Sequence, residues 1–257
     1  MTAETYLKRI GIDRLPEPTC AALNAIQKAH LYAIPYENLD IVMKKPLSLD
    51  GGDLYKKIVI DRRGGYCFEL NELYGWLLRQ IGYEVTDCFA RFLRGEVEIP
   101  KRRHHVLRVR VPGETADYLC DVGVGTGSPT YPIRMEADTV QRQGEAQYRL
   151  TRDVFLGWVL EEVKHGEWAR VFSFTDEPQL PVDYQAISYF CEHAPESPFN
   201  KAPMVAIRID GGRKTLDGST FKKFVGETVE IFDAENTEER NRLLSEWFGI
   251  DIRNATG

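Results

Sequence analysis

The chain has 257 residues, 43% hydrophobic and 28% charged, which is enough for a substantial core but close to the length at which one core divides into several. Its 33 basic and 39 acidic residues give a formal net charge of −6, which disfavours nucleic acid and membrane surfaces as partners. No apolar run reaches the roughly 18 residues of a spanning helix, and the N-terminus does not have the pattern of a secretory signal. The sequence therefore predicts a cytoplasmic protein.

The cysteines are odd in number and widely spaced, and none of them forms a C-x-x-C pair. This pattern argues against a disulfide framework and against a zinc ribbon, and we expect no metal. Most free cysteines are small buried apolar residues. The question is whether one of them has the surroundings of a nucleophile. The five are Cys20, Cys67, Cys88, Cys120 and Cys191.

The first 82 residues are predicted to be mostly helical. Apolar residues recur every three or four positions from Leu23 to His30 and from Phe68 to Ile81. Gly82 stands where a helix C-terminal glycine is expected, and the pattern then changes to a period of two residues.

The middle of the chain, from Val85 to about Trp168, alternates apolar and polar residues in strand-length pieces, which indicates an antiparallel sheet or small barrel. Pro112-Gly113 is predicted to be a turn between a strand that opens at His104 and a strand that ends near Asp121.

The last part of the chain begins near residue 195. It contains two predicted strands, MVAIRI and ETVEIF, and a predicted helix over 237–248. The pattern thus divides the chain into segments 1–83, 84–194 and 195–257.

Cys67 lies in the run R-G-G-Y-C-F-E-L-N, where a glycine turn gives way to a predicted helix. The N-terminus of a helix lowers the pKa of a thiol through its dipole, and its free N–H groups can hold an oxyanion. Taken alone, the run is explained somewhat better by a plain loop and a core cysteine. A nucleophilic thiolate also needs a base and a group that orients the base.

A base and an acid are available further along the chain. His104 and His105 open an alternating strand, and Asp121 follows on the strand that pairs with it, so a histidine and a carboxylate can meet on one sheet face. Singly, the histidine is explained as a solvated strand end and Asp121 as a turn former. Together with a cysteine at a helix N-terminus, they favour a Cys-His-Asp triad.

With these residues in place, the sequence resembles the arylamine N-acetyltransferases. The resemblance is carried by R-G-G-Y-C-F-E-L-N (63–71), I-P-Y-E-N-L-D-I (34–41), the histidine at the strand opening and D-V-G-V-G (121–125). It implies an α+β fold with a helical bundle, an antiparallel β-barrel, an α/β lid and a papain-like Cys-His-Asp core. It also implies a ping-pong reaction in which acetyl-CoA acylates the cysteine and an arylamine, arylhydrazine or N-arylhydroxylamine accepts the acetyl group.

The resemblance assigns Cys67 as nucleophile and Asp121 as the triad acid, and leaves the histidine ambiguous by one position. We choose His104 because the strand alternation then matches that of the family. His105 would lie on the opposite face unless a bulge intervened.

Binding residues follow from the resemblance with less specificity. Val124 stands where the family usually has phenylalanine. The acceptor pocket implied by the resemblance would therefore lack one aromatic side chain. Candidate acceptor contacts are Tyr36, Phe68 and Val124, and candidate cofactor contacts are Arg103, Ser197 and Phe199. The basic residues expected to meet the phosphates of CoA are Arg62, Arg63, Arg102 and Arg103.

Two other functions are compatible with the same residues. A thiol hydrolase of the transglutaminase or papain type can use the same triad order without CoA. A catalytically idle scaffold would keep the fold, and Val124 is the residue that leaves this alternative open.

Overall fold

A computed structural model describes residues 1–252 of the chain. The N-terminal part is helical, as predicted, and its core is formed by apolar faces of the first, second and fifth helices together with the outer face of a sheet. The helices are α1 (Ala3–Arg9), α2 (Cys20–Ala33), α3 (Leu39–Val42), α4 (Gly51–Tyr55) and α5 (Cys67–Ile81). None of the helices within residues 1–252 is both long enough and apolar enough to cross a membrane.

Helix α5 positions the candidate nucleophile at its first residue. The backbone N–H of Tyr66, just before the helix, donates to the Glu69 carboxylate at 3.1 Å. At the other end Gly82 has a φ of 107°, the left-handed conformation that glycine adopts at little cost. Both ends of the helix therefore lie where the sequence predicted.

The middle of the chain forms an antiparallel eight-stranded sheet that curls into a nearly closed barrel, in the order β5-β4-β3-β2-β9-β8-β7-β6. Strand β3 shows the predicted alternation, since Val106 packs in the barrel core and Leu107 against the helices. The strands are β2 (Glu84–Phe92), β3 (His104–Arg110), β4 (Asp117–Cys120), β5 (Ile133–Arg134), β6 (Gln141–Gln143), β7 (Ala146–Asp153), β8 (Gly157–Lys164) and β9 (Glu167–Phe174).

The last part of the chain forms a second antiparallel sheet, in the order β1-β10-β11-β12-β13. Its first strand, β1 (Tyr36–Glu37), comes from the N-terminal segment and pairs with β10. Helix α7 (Thr237–Phe248) has the predicted bounds and packs on this sheet. The other strands are β10 (Met204–Ile209), β11 (Gly212–Asp217), β12 (Thr220–Val225) and β13 (Thr228–Asp233).

The architecture confirms the predicted α+β class. Two details differ from the sequence prediction. Asp121 lies just past the end of β4 rather than on it, and helix α6 (Asp183–His193), which the sequence did not predict, covers the face of β3 that carries His105. The segment boundaries at 83 and 194 stay predictions.

Candidate active site

Cys67 is the first residue of α5 and is almost completely buried. It belongs to an apolar cluster with Tyr66, Phe68, Tyr184 and Cys191. The chain reaches it through Gly64, where a Cβ would lie 2.0 Å from the carbonyl oxygen of Pro35, so only glycine fits this approach.

His104 and Asp121 form a buried pair beside this helix. The His104 Nε2 atom lies 2.9 Å from Oδ2 of Asp121, and both side chains are buried. The other carboxylate oxygen, Oδ1, accepts hydrogen bonds from the Asn71 side chain at 2.9 Å and from the Gly123 N–H at 2.7 Å. Both oxygens of the carboxylate are thus held by hydrogen bonds, and the carboxylate in turn sets the orientation of the His104 ring.

Asn71, which sequence reasoning quoted in the motif but gave no role, ties these elements together. It lies one helical turn after Cys67, and its amide donates to Asp121 and to the His105 carbonyl at 2.7 Å. Its Oδ1 accepts the Val122 N–H at 3.0 Å. The spacing of four residues from Cys67 is the signal that places both side chains on one helix face.

Cys67 contacts the loops on either side of the His104–Asp121 pair. Its Sγ lies 3.9 Å from the carbonyl oxygen of Arg103, the residue before His104. A Cβ at Gly123, two residues after Asp121, would lie 2.8 Å from the Cys67 Cα. The three predicted triad residues therefore meet at one place, although they lie far apart along the chain.

His105 points to the opposite face of β3. Its Nε2 lies 3.0 Å from Oδ1 of Asp87, and its ring stacks on Tyr184 with centroids 4.2 Å apart. Glu72 completes a group whose ligand-type atoms lie within 4.8 Å of one another. We assign no metal to this group, because both carboxylate oxygens of Asp87 already have partners. Arg79 binds one oxygen and the His105 ring contacts the other.

The protonation states depend mainly on burial. Burial raises the pKa of the Cys67 thiol, and the neighbouring Cys191 and Asp121 raise it further. The backbone of Phe68 in the first turn of α5 lowers this pKa, in the direction predicted for a helix N-terminus, but burial outweighs that contribution. Burial opposes ionisation of Asp121 as well, but His104, Asn71 and Gly123 outweigh it and hold the pKa of Asp121 below its usual range.

The predicted cofactor residues have different surroundings. Arg103 is partly exposed and pairs with Glu96 at 2.9 Å. Ser197 is buried, and its hydroxyl donates to the Cys191 carbonyl and accepts the Phe199 N–H. Its one hydroxyl proton is therefore already used in a hydrogen bond within the protein. Phe199 is part-buried with its ring 5.9 Å from that of Tyr66. Their contact with a cofactor stays a prediction.

The expectation that Arg63 meets phosphate is wrong. Arg63 is buried and donates to Glu37 at 2.8 Å and 3.0 Å and to Asp40 at 3.0 Å. Its positive charge is paired with two carboxylates inside the fold, so it is not available to a phosphate. Arg102 is more accessible and pairs with Glu177.

The predicted acceptor residues lie around Cys67 to different depths. Tyr36 is half-buried and packs against the cluster that holds Cys67. Phe68 is fully buried between Tyr66 and Tyr184, as a core residue would be. Val124 is half-buried, and its N–H donates to the Ser128 hydroxyl at 3.1 Å. Acceptor contact by these residues stays a prediction.

A cavity of about 1270 Å³ lies between α6 and the segment that joins α3 to α4. Its wall includes Ile41 and Leu47, which share the cluster of Cys67, and Ser188, which contacts the Tyr66 hydroxyl at 2.5 Å. None of the residues predicted as site residues lines it.

Comparison with known proteins gives the family. An N-acetyltransferase family model matches residues 19–256. The chain is 36% identical over 256 residues to the arylamine N-acetyltransferase of Mycolicibacterium smegmatis, covering 98% of this chain and 93% of that protein. It is 32% identical over 253 residues to the Salmonella typhimurium arylamine N-acetyltransferase / N-hydroxyarylamine O-acetyltransferase, covering 97% and 89%.

Solved structures agree. The structure of Mycobacterium marinum arylamine N-acetyltransferase in complex with CoA superposes with a TM-score of 0.91 at 33% identity, covering 100% of this chain and 95% of that one. The fold and these comparisons define an acyltransferase. The chain belongs to the arylamine N-acetyltransferase family, which confirms the resemblance seen in the sequence.

Proposed function

We propose that this protein acetylates arylamines and arylhydrazines with acetyl-CoA by a ping-pong reaction through an acetyl-Cys67 intermediate. The observation that carries the proposal is the buried pair of His104 and Asp121, 2.9 Å apart, held by Asn71 against the helix that begins at Cys67. Transfer of the acetyl group to the oxygen of N-arylhydroxylamines is a further reaction of the same intermediate.

In the first half-reaction Asp121 orients His104, whose Nδ1 takes the proton of the Cys67 thiol as the sulfur attacks the acetyl carbonyl. Because burial raises the pKa of the thiol, we expect proton transfer and attack to be coupled rather than preceded by a stable thiolate. Backbone N–H groups at the start of α5 stabilise the oxyanion. The C–S bond to CoA then breaks, and His104 returns the proton to the departing CoA thiolate.

In the second half-reaction the amine attacks the carbonyl carbon of acetyl-Cys67. His104 accepts the proton that the nitrogen loses, and the Cys67 sulfur leaves as the amide forms. A weakly basic arylamine is neutral at pH 7, so it enters an apolar site without the desolvation cost of a charge. Tyr36, Phe68 and Val124 are the apolar residues proposed to surround it.

Intact mass spectrometry tests the acetyl-enzyme directly. Incubation with acetyl-CoA should add one acetyl group to the protein, and addition of an arylamine should remove it. Cys67→Ser is the control and should carry no acetyl thioester. An unmodified wild-type protein, or an adduct unaltered in Cys67→Ser, would contradict the proposal. Hydrolysis of peptide substrates without CoA would instead support the thiol hydrolase alternative.

The choice between the two histidines is tested by a matched pair of variants. His104→Gln should abolish acetylation of Cys67, while His105→Gln should retain most of it, because His105 contacts Asp87 and Tyr184 rather than the triad. Thermal unfolding of each variant shows whether the fold persists. Loss of acetylation in folded His105→Gln alone would show that the assignment of His104 is wrong.

A further inference from the structure

Lys57 is turned into the protein by a local change in helix geometry. Helix α4 continues into one π-helical turn, Lys56–Ile60, and such turns reorient side chains relative to an α-helix. The Lys56 side chain is 67% exposed, whereas that of Lys57 is only 16% exposed. The Nζ of Lys57 lies 2.6 Å from Oε1 of Glu69 and 2.7 Å from Oδ2 of Asp40.

Glu69, the first of these partners, holds the start of the nucleophile helix. Its Oε2 accepts the Tyr66 N–H at 3.1 Å. A Cβ at Gly65 would lie 2.9 Å from both the Cβ and the Oε2 of Glu69, so this carboxylate packs directly on the approach to Cys67. Lys57 and the Tyr66 N–H thus bind the two oxygens of one buried carboxylate, two residues from the nucleophile.

The charge of this carboxylate acts on the same helix terminus. A buried negative charge in the first turn of α5 disfavours a developing thiolate at Cys67, unless a cation balances it. Burial raises the pKa of Glu69 while Lys57 opposes that rise. Burial also disfavours the charged form of Lys57, but Glu69, Glu37 and Asp40 outweigh it and raise the pKa of Lys57, so Lys57 keeps its positive charge.

The neighbouring charged groups form a chain with Lys57, in which two cations face three carboxylates, and Asp40 pairs with both Lys57 and Arg63. Arg63 is shared by Glu37 and Asp40. On the far side of Cys67 the groups that influence it are Cys191 and Asp121. Within residues 1–252, Lys57 is the cation that forms an ion pair with Glu69.

We propose that Lys57 is a positioning residue for acyl transfer: it holds the Glu69 carboxylate in the cap of α5 and balances its charge, which keeps Cys67 reactive. This inference rests on the proposed role of Cys67 as nucleophile. The ion pairs of Lys57 are with Asp40 and Glu69, and its proposed action on Cys67 is through Glu69.

A charge cycle tests the proposal with the variants Lys57→Met, Glu69→Gln and the double variant. Two readouts are used. The first is the pH midpoint of Cys67 alkylation by iodoacetamide, measured on the peptide that contains Cys67, and this reaction does not require acetyl transfer. The second is the rate of single-turnover acetylation. Lys57→Met should raise this midpoint by about one unit and slow single-turnover acetylation about tenfold. Glu69→Gln, which keeps an oxygen for the Tyr66 N–H, should lower the midpoint.

The double variant should return the midpoint close to that of the wild type. Because neutralising both members of a buried pair also restores a purely structural contact, the readout that a structural role would not move is a midpoint of Glu69→Gln below that of the wild type. Lys56→Met is the matched control and should leave both readouts unaltered, since Lys56 is exposed and pairs with Asp61. If Lys57→Met does not fold, Glu69→Gln and the double variant still decide the question.

Identical alkylation midpoints across the folded variants would overturn the proposal, as would a double variant no better than Lys57→Met. A wild-type protein that is alkylated normally but never acetylated would instead overturn the proposed function. The two failures are therefore distinguishable.

Discussion

Two neighbouring histidines on β3 each contact a buried aspartate, and the two pairs meet different residues of the helix that begins at Cys67. His104 pairs with Asp121, whose other oxygen is held by Asn71 from the helix of Cys67. His105 pairs with Asp87, which Arg79 also binds, and Tyr184 covers its ring. The same two residue types thus have different surroundings, because one step along a strand moves a side chain to the other face of the sheet.

Asp121→Asn should break the first pair most severely. The amide keeps the size of the carboxylate but does not orient and stabilise a charged imidazole, so the rate of Cys67 acetylation should fall roughly 10³- to 10⁴-fold. Single-turnover acetylation measured by intact mass checks this. Asp87→Asn is the matched change in the second pair, and a comparable loss there would contradict the distinction between the two pairs.

Asn71→Ala should weaken the first pair without removing either member. Asp121 loses one donor and the Val122 N–H loses its acceptor, so the carboxylate and the helix shift relative to each other. We expect a fall in acetylation rate of about 100-fold and a loss of about 1–3 kcal/mol in the free energy of unfolding. Single-turnover acetylation and urea unfolding measure the two effects. An acetylation rate equal to that of the wild type in a folded variant would show that the hydrogen bonds of Asn71 are not needed for the reaction.

Acid should destabilise both pairs together. Burial opposes ionisation of each aspartate, but the pKa of Asp121 is held below its usual range by His104, Asn71 and Gly123, and that of Asp87 by His105 and Arg79. Because these folded-state pKa values are lowered, their stabilisation is complete above about pH 4, where the unfolded carboxyls ionise, and is lost as the pH falls through the folded values. Urea unfolding between pH 2.5 and 6 measures this slope, which should be shallower in Asp121→Asn and Asp87→Asn.

Tyr184→Leu should have the smallest effect on the rate, because Tyr184 meets the second pair and the cluster of Cys67 through ring and apolar contacts. It removes the ring stacked on His105 and its contact with Phe68, which we expect to lower the free energy of unfolding by about 1–2 kcal/mol. The acetylation rate should fall by less than in Asn71→Ala. A larger fall in rate than in Asn71→Ala would show that α6 contributes to the site directly.

Local patterns were enough to predict α5, α7 and the alternation of β3, because helix periodicity, a glycine terminator and strand alternation are written in neighbouring residues. The meeting of Cys67, His104 and Asp121 followed from a family motif together with that alternation. The role of Asn71 was missed, although its spacing from Cys67 was available.

Features that depend on distant partners were not predictable. Arg63 is buried because Glu37 and Asp40 come from another part of the chain to pair with it, and no local pattern indicates this. The raised pKa of Cys67 depends on the burial that surrounding elements impose and on Cys191 of α6, a helix that the sequence did not predict. Such outcomes follow from tertiary packing rather than from propensity.

The pairing of β1 with β10 has a consequence for the order in which parts of the protein fold during synthesis. Tyr36 and Glu37 pair with Ala206 and Val205 of β10, and the Asn38 side chain donates to the carbonyl oxygens of Phe199 and Ala202. These contacts join the beginning of the chain to its last quarter, so they form only after most of the polypeptide has left the ribosome. We expect the surroundings of Cys67 to be among the last parts of a newly synthesised molecule to reach their final structure, so a nascent chain should not react before β10 has paired with β1.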